Sequence, residues 1–106
     1  MMNYEEIKKM VEEIGIPASY HHFDVDNAIN PPFICWITHE SNNFSADGMV
    51  FFRADALNIE LYTDQKDIEK EKQVENVLDK YGLFWEKTEI YIESENMYET
   101  LYELEV

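Results

Sequence analysis

The stretch WEKTEIYIESENMYETLYELEV, residues 85–106, decides the fold class, because its side chains alternate in character over the length of a hairpin. Thr88, Ile90 and Ile92 share one parity. Beyond the polar break Ser94-Glu95-Asn96, so do Tyr98, Thr100, Tyr102, Leu104 and Val106. Successive side chains of a strand point to opposite faces, so the pattern predicts a β-hairpin with one buried face made of these residues. The opposite parity carries Glu89, Glu93, Glu99, Glu103 and Glu105, and neither Lys nor Arg occurs after Lys87. An acidic strand face is therefore expected behind the apolar one.

Upstream of the hairpin, residues 64–67 read as a helix start. Val74, Val77, Leu78 and Tyr81 then recur at helical spacing until Gly82 ends the run. At the head of the chain, Asn3 is placed to cap a first helix, with Glu6 as its capping-box partner. Tyr4, Ile7, Val11 and Ile14 form its stripe, Gly15 stops it and Pro17 prevents its resumption. Between the helices, residues 18–23 read as a short strand and 24–32 as a polar loop ending in Pro31-Pro32. The continuous apolar run 33–39 predicts a central strand buried on both faces. Residues 40–48 read as a loop. Within 49–63 the apolar parity changes from Val50, Phe52, Ala54 and Ala56 to Leu57, Ile59 and Leu61, so a bulge or bend is expected near Asp55-Ala56. The predicted order is α-β-β-β-α-β-β. It describes a single α+β domain over residues 1–106, with an antiparallel or mixed sheet packed against two helices, both on one side or one on each.

Length and charge narrow the functional classes. A chain of 106 residues buries one core. Its 23 acidic against 8 basic residues give a formal charge of −15, which opposes binding to polyphosphate, to anionic membranes and to DNA through basic patches. No apolar run reaches the ~20 residues that cross a bilayer. The first residues lack the basic and then apolar run of a signal peptide, so the chain is expected to stay in the cytoplasm where it is made. Cys35 is the single cysteine, so it forms no internal disulfide and reads as a small buried hydrophobe.

Residue types that carry chemistry are present without the spacing chemistry needs. His21, His22 and His39, with Asp24 and Asp26, are the metal-ligating types, but adjacent histidines on a strand point to opposite faces. Asp24-Val25-Asp26 starts like a calcium loop. Ala28, Ile29 and Cys35 then stand where a ligand, the turn glycine and the closing Glu belong. There is no Gly-x-Ser-x-Gly, and Ser41, Ser45 and Ser94 lie in polar turns. The glycines, at 15, 48 and 82, serve helix ends and a strand start and leave none for a phosphate loop. Tyr91, Tyr98 and Tyr102 fall at strand spacing without neighbouring positive charge, which suits core and cross-strand pairs better than a base-stacking platform. No catalytic residue, cofactor or metal is expected, and the chain is not expected to be an enzyme.

The candidate contact residues lie in residues 41–48. Phe44 sits among turn formers between Asn43 and Asp47, where it serves either as an exposed docking contact or as an anchor folded back on the core.

Several phrases of the chain resemble a known family. They are the run 58–64 (Asn-Ile-Glu-Leu-Tyr-Thr-Asp), the helix running to Tyr81-Gly82, and residues 86–95 (Glu-Lys-Thr-Glu-Ile-Tyr-Ile-Glu-Ser-Glu). Gly15-Ile16-Pro17-Ala18, Pro31-Pro32-Phe33 and the 43–48 loop belong with them. Together they resemble small proteins of siphophage and prophage tail-morphogenesis clusters, the tail-terminator, tail-completion or head-tail joining family. The resemblance implies a structural virion-assembly subunit of α+β fold that joins copies of itself in a ring, typically a hexamer. Such a ring caps the tail tube, meets the major tail protein and presents a surface to the head-tail connector. It implies no cofactor and no reaction, with the protein in the host cytoplasm during assembly and at the head-tail junction of the virion afterwards. Other readings stay open: another small morphogenesis protein, such as a head-closure adaptor or minor tail component, or an acidic DNA mimic that inhibits a host protein.

Overall fold

The structure, a computed structural model, describes residues 2–23, 29–41, 44–46, 49–52 and 55–106. Helix α1 (Tyr4–Glu13) begins where its capping box predicts. Asn3 Oδ1 accepts the Glu6 amide at 2.9 Å, and the Glu6 carboxylate accepts the Asn3 amide at 3.0 Å. Two amides that the helix cannot pair by itself are thereby satisfied. Ile7, Met10, Val11 and Ile14 bury its inner face. Tyr4, expected on that stripe, stands half-exposed at the helix start with its ring against those of Tyr20 and Trp36. Gly15 then turns the chain at a φ of +84°, a conformation open to glycine and strained for other residues.

Helix α2 (Ile68–Lys80) is capped by Asp67, whose Oδ1 accepts the Lys70 amide at 3.1 Å. Val74 and Leu78 are fully buried, and Val77 and Tyr81 pack at the core margin. The two helices are tied end to end. Gln73 donates to the Ile14 carbonyl at 2.8 Å, and the Glu13 carboxylate accepts from the Tyr81 hydroxyl at 2.6 Å and from Lys80 at 3.1 Å.

The strands are β1 (Ala18–Tyr20), β2 (Phe33–Ser41), β3 (Phe44–Ala46), β4 (Met49–Phe52), β5 (Asp55–Thr63), β6 (Trp85–Ile92) and β7 (Met97–Glu105). A five-stranded mixed sheet has the order β1-β2-β5-β7-β6, with β1 parallel to β2 and the other neighbours antiparallel, while β3 and β4 form a separate antiparallel ribbon. The α+β class and the order α-β-β-β-α-β-β of the main elements are as read from the sequence. Three local readings change. The expected strand 18–23 ends at Tyr20, because His21 adopts a positive φ of 68°. The expected loop 40–48 is partly strand, since β2 runs to Ser41 and β3 occupies residues 44–46. The expected bend near Asp55-Ala56 corresponds to a register shift on the partner strand: Thr38 lies opposite Leu57, and Glu40 already lies opposite Ala56.

Register explains the core. Ile34, Leu61 and Thr100 stand side by side across β2, β5 and β7, as do Trp36, Ile59 and Tyr102, then Thr38, Leu57 and Leu104. These rows join Ile7, Met10, Val11, Ile14, Val74 and Leu78 in one core, so both helices lie on the same face of the sheet. Each large side chain so buried contributes about 1.5–3 kcal/mol. Strand β2 lies inside the sheet beside the central β5 and has helices over one face only: Ile34 and Trp36 are buried beneath them, whereas on the other face Cys35 is buried and Phe33 and Ile37 are half-buried.

The hairpin holds the main correction. On β7 the expected residues Thr100, Tyr102, Leu104 and, just beyond it, Val106 are buried. On β6 the faces are reversed. Trp85, Lys87, Glu89 and Tyr91 lie opposite Leu104, Tyr102, Thr100 and Tyr98 and share the helix side, so Thr88, Ile90 and Ile92 are on the other face. The connection is the cause. Ile92 pairs with Met97 across the four residues 93–96, and an even number of linking residues sets even positions of one strand against odd positions of the next. The link is a single 3-10 turn, Glu93–Glu95, completed by Asn96 in the left-handed conformation at φ 50°.

Candidate functional site

Among the described residues, no helix covers the second face of the sheet. Its rows are Phe33, Tyr62, Glu99 and Ile90; Cys35, Glu60, Leu101 and Thr88; and Ile37, Asn58, Glu103 and Glu86. Glu105 and Ala56 extend it at one end. Among the described residues, these rows hold no Lys or Arg. Phe33 stacks on Tyr62 with ring centres 4.9 Å apart, and Phe23 meets Phe33 edge-on at 5.5 Å.

At the middle of this face Tyr62 joins two glutamates. Its hydroxyl lies 2.7 Å from Glu99 Oε1 and 3.1 Å from Glu60 Oε2. A phenol has one proton, so it serves one ionised carboxylate at a time. Burial, then the charge of Glu99 and its hydrogen bond to Glu60, hold the Glu60 carboxyl above the ordinary glutamate range, against the opposing hydrogen bond from Tyr62. Burial and the hydrogen bond to Glu99 likewise raise the Tyr62 hydroxyl. Cys35, opposite Glu60, is buried, and its thiol is pushed up to about 11 by that burial and then by Glu60 and Glu99. A thiol held protonated is a poor nucleophile and a poor metal ligand.

On the helix side a second charged group closes the sheet. Glu71 of α2 is buried and takes Lys66 at 2.7 Å and Lys87 at 3.1 Å. Lys87 also meets Glu75 at 2.7 Å, Lys66 meets Glu89 at 2.7 Å, and the Tyr102 hydroxyl donates to Glu75 at 2.8 Å. Every one of these charges has a partner within the group, which makes it a structural network.

The other candidates disperse. A cleft of about 310 Å³ between α1 and β1 is lined by Tyr4, Tyr20, Trp36, Lys8, Glu12 and Ser19. Lys8 and Glu12 pair across one helical turn at 3.9 Å, and the Ser19 hydroxyl donates to the His22 carbonyl at 2.7 Å. His21 and His22, expected on opposite faces, have their Nδ1 atoms 2.9 Å apart, because the positive φ of His21 takes the chain out of the strand. His39 lies within β2, while Asp24 and Asp26 fall outside the described residues. Among the described residues, no group of three or more His, Cys, Asp or Glu is placed to hold a metal ion. Phe44 opens β3 opposite Phe52 of β4, in the two-stranded ribbon instead of a free loop; Asn43 and Asp47 lie outside the described residues. No described helix is long and apolar enough to cross a membrane.

No protein-family model matches the chain, and no curated protein matches it.

The sequence reading missed two groups. Glu60 and Tyr62 are two apart on one strand and so share a face, but their meeting with Glu99 depends on the β5–β7 register. Glu71 was nearer to hand: it precedes Val74 by three and Leu78 by seven, the spacing of the buried stripe.

Proposed function

We propose that this chain is a structural subunit of phage tail assembly, a tail-terminator-like protein whose copies join in a ring. The ring caps the tail tube and presents a surface to the head-tail connector. The uncovered sheet face carries the reading. Phe33, Ile37, Leu101 and Ile90 offer apolar contact there, between Glu60, Glu86, Glu99, Glu103 and Glu105. Apolar side chains on a sheet face that no helix covers are available for contact with another protein, and the glutamates around them keep the face hydrated until a partner arrives. Most of the sequence phrases at 58–64 and 86–95 lies on β5 and β6 of this same sheet, and their resemblance to that family supports the reading. In a ring, carboxylates turned toward the lumen repel DNA phosphates and keep passing DNA from sticking. The reading involves no reaction and no cofactor.

Electron microscopy of lysates from a phage lacking this gene tests it. The expected picture is filled heads apart from overlong or unstable tails. Intact infectious particles overturn the reading, and stable tails of normal length beside unsealed heads move the chain to the head side of the junction.

A further inference from the structure

The two faces of the sheet differ in what completes them. On the covered face, α1 and α2 lie over Trp36, Ile59 and Tyr102, and Lys66 and Lys87 pair with Glu71, Glu75 and Glu89. On the second face, among the described residues, neither requirement is met. Phe33, Ile37 and Leu101 are half-buried there and Ile90 is 41% exposed, with no helix above them. Glu60, Glu86, Glu99 and Glu103 stand between them without a Lys or Arg partner among the described residues, and Glu60 and Glu99 share the Tyr62 hydroxyl.

Charge selects the occupant. A second copy brings another −15 and the same carboxylates, and DNA or an anionic lipid surface adds further negative charge, whereas a basic partner is drawn in by the same field. Spacing selects its form. Glu99 and Glu103 stand on either side of Leu101 on β7, roughly 13 Å apart, with Ile90 beside Glu99 and Glu86 beside Glu103 on β6. A helix that carries an apolar stripe with Lys or Arg along both margins sets apolar side chains on the sheet while its cations reach out to carboxylates on either side. Fourteen helical residues extend about 21 Å, close to the roughly 19 Å between the outer strands of a five-stranded sheet. We propose that the second face of the sheet docks a basic amphipathic helix of another protein, its apolar stripe over Leu101 and Ile90 and its cations against Glu86, Glu99 and Glu103. The inference rests on the reading of this face as a contact surface and does not require the ring, so microscopy of the phage lacking this gene bears on the ring alone.

Fluorescence anisotropy of the purified chain with a dye-labelled peptide, LKKLLKLLKKLLKL, whose Leu and Lys recur at helical spacing, tests the docking. Binding is expected at low salt and weakens as salt rises. Glu86→Gln combined with Glu103→Gln is expected to weaken it about fivefold, whereas Glu5→Gln combined with Glu69→Gln, which removes the same charge from the exposed surfaces of α1 and α2, changes it less than about twofold. Ile90→Ser is expected to cost about fivefold, and Ile68→Ser, at a residue 58% exposed at the start of α2, nothing. Circular dichroism of all four variants stays native. A peptide of the same composition with Leu and Lys alternating as in a strand is expected to bind more weakly. Absence of binding at low salt, equal losses from the two glutamate pairs, indifference to Ile90→Ser, or tighter binding of the alternating peptide, which would place the partner on the β6 edge, overturns the proposal.

Discussion

Lys87 Nζ lies 3.1 Å from Glu71 Oε1: the lysine of the exposed edge strand stands on the face that the turn at residues 93–96 directs toward the helices and reaches back under α2. Lys66 holds the other Glu71 oxygen at 2.7 Å. Burial is the largest single influence on Glu71 and by itself raises its pKa. The hydrogen bonds and then the charges of Lys66 and Lys87 together outweigh it and leave the carboxyl below its ordinary range.

This arrangement is asymmetric, which gives a prediction for mutants. The Glu71 side chain is 4% exposed, whereas those of Lys66 and Lys87 are 47% and 39% exposed. With Glu71→Gln the lysines rehydrate, and the expected loss is about 1 kcal/mol. With Lys66→Ala and Lys87→Ala combined, a buried carboxylate is left without a cation, and the expected loss is about 3 kcal/mol. Urea unfolding at neutral pH measures both, and a larger loss for Glu71→Gln would contradict the assignment.

The two glutamate sites respond to pH in opposite directions. Glu71, with a lowered folded pKa, contributes stability above the ordinary glutamate range that is lost as pH falls through its folded value. Glu60, with a raised folded pKa, binds its proton more tightly when folded. Its ionisation therefore costs stability, and that cost is absent below the ordinary glutamate range and grows as pH rises through the folded value. Glu60→Gln should accordingly stabilise the fold at neutral pH and leave its stability unchanged near pH ~3. Thermal unfolding of both proteins across that range checks the sign; equal stability of the two at neutral pH would count against the shared-proton geometry.

Cys35 combines burial with a thiol pushed up to about 11 from a usual 9.0. Two pKa units reduce the thiolate fraction about 100-fold at neutral pH before burial is considered. Native protein should thus react with an aromatic disulfide reagent at least ~100-fold more slowly than the urea-unfolded chain. Comparable rates would mean that the face around Glu60 opens readily.

Phe44 opens the β3–β4 ribbon rather than a free loop, and neither ribbon strand is part of the five-stranded sheet. On the assembly reading, Phe44→Asp leaves the main fold intact by circular dichroism and blocks tail-to-head joining. Normal joining in a complementation assay would remove this ribbon from the contact surface.

The chemistry of the site was less legible than the fold. Asn3, Glu6, Gly15 and Gly82 act through the few residues beside them, so the helix ends could be read directly. The apolar rows of β5 and β7 follow from a period of two. The Glu60–Tyr62–Glu99 group was out of reach, because residues 37 apart meet only through the β5–β7 register. The exposed face of β6 was misassigned for a related reason: parity along one strand says nothing about its neighbour until the length of the connection is known.

The class, the element order, the caps and an acidic balance of −15 are local or additive properties of the chain, which is why they could be read along it. Packing between distant segments decided that both helices share one face and that β6 turns Lys87 inward and Ile90 outward. It also decided that the carboxylates divide between a neutralised network under α2 and an uncovered face with Tyr62 at its centre. Those outcomes rest on strand register and on which apolar faces meet, and register is a relation between distant segments that no single segment encodes.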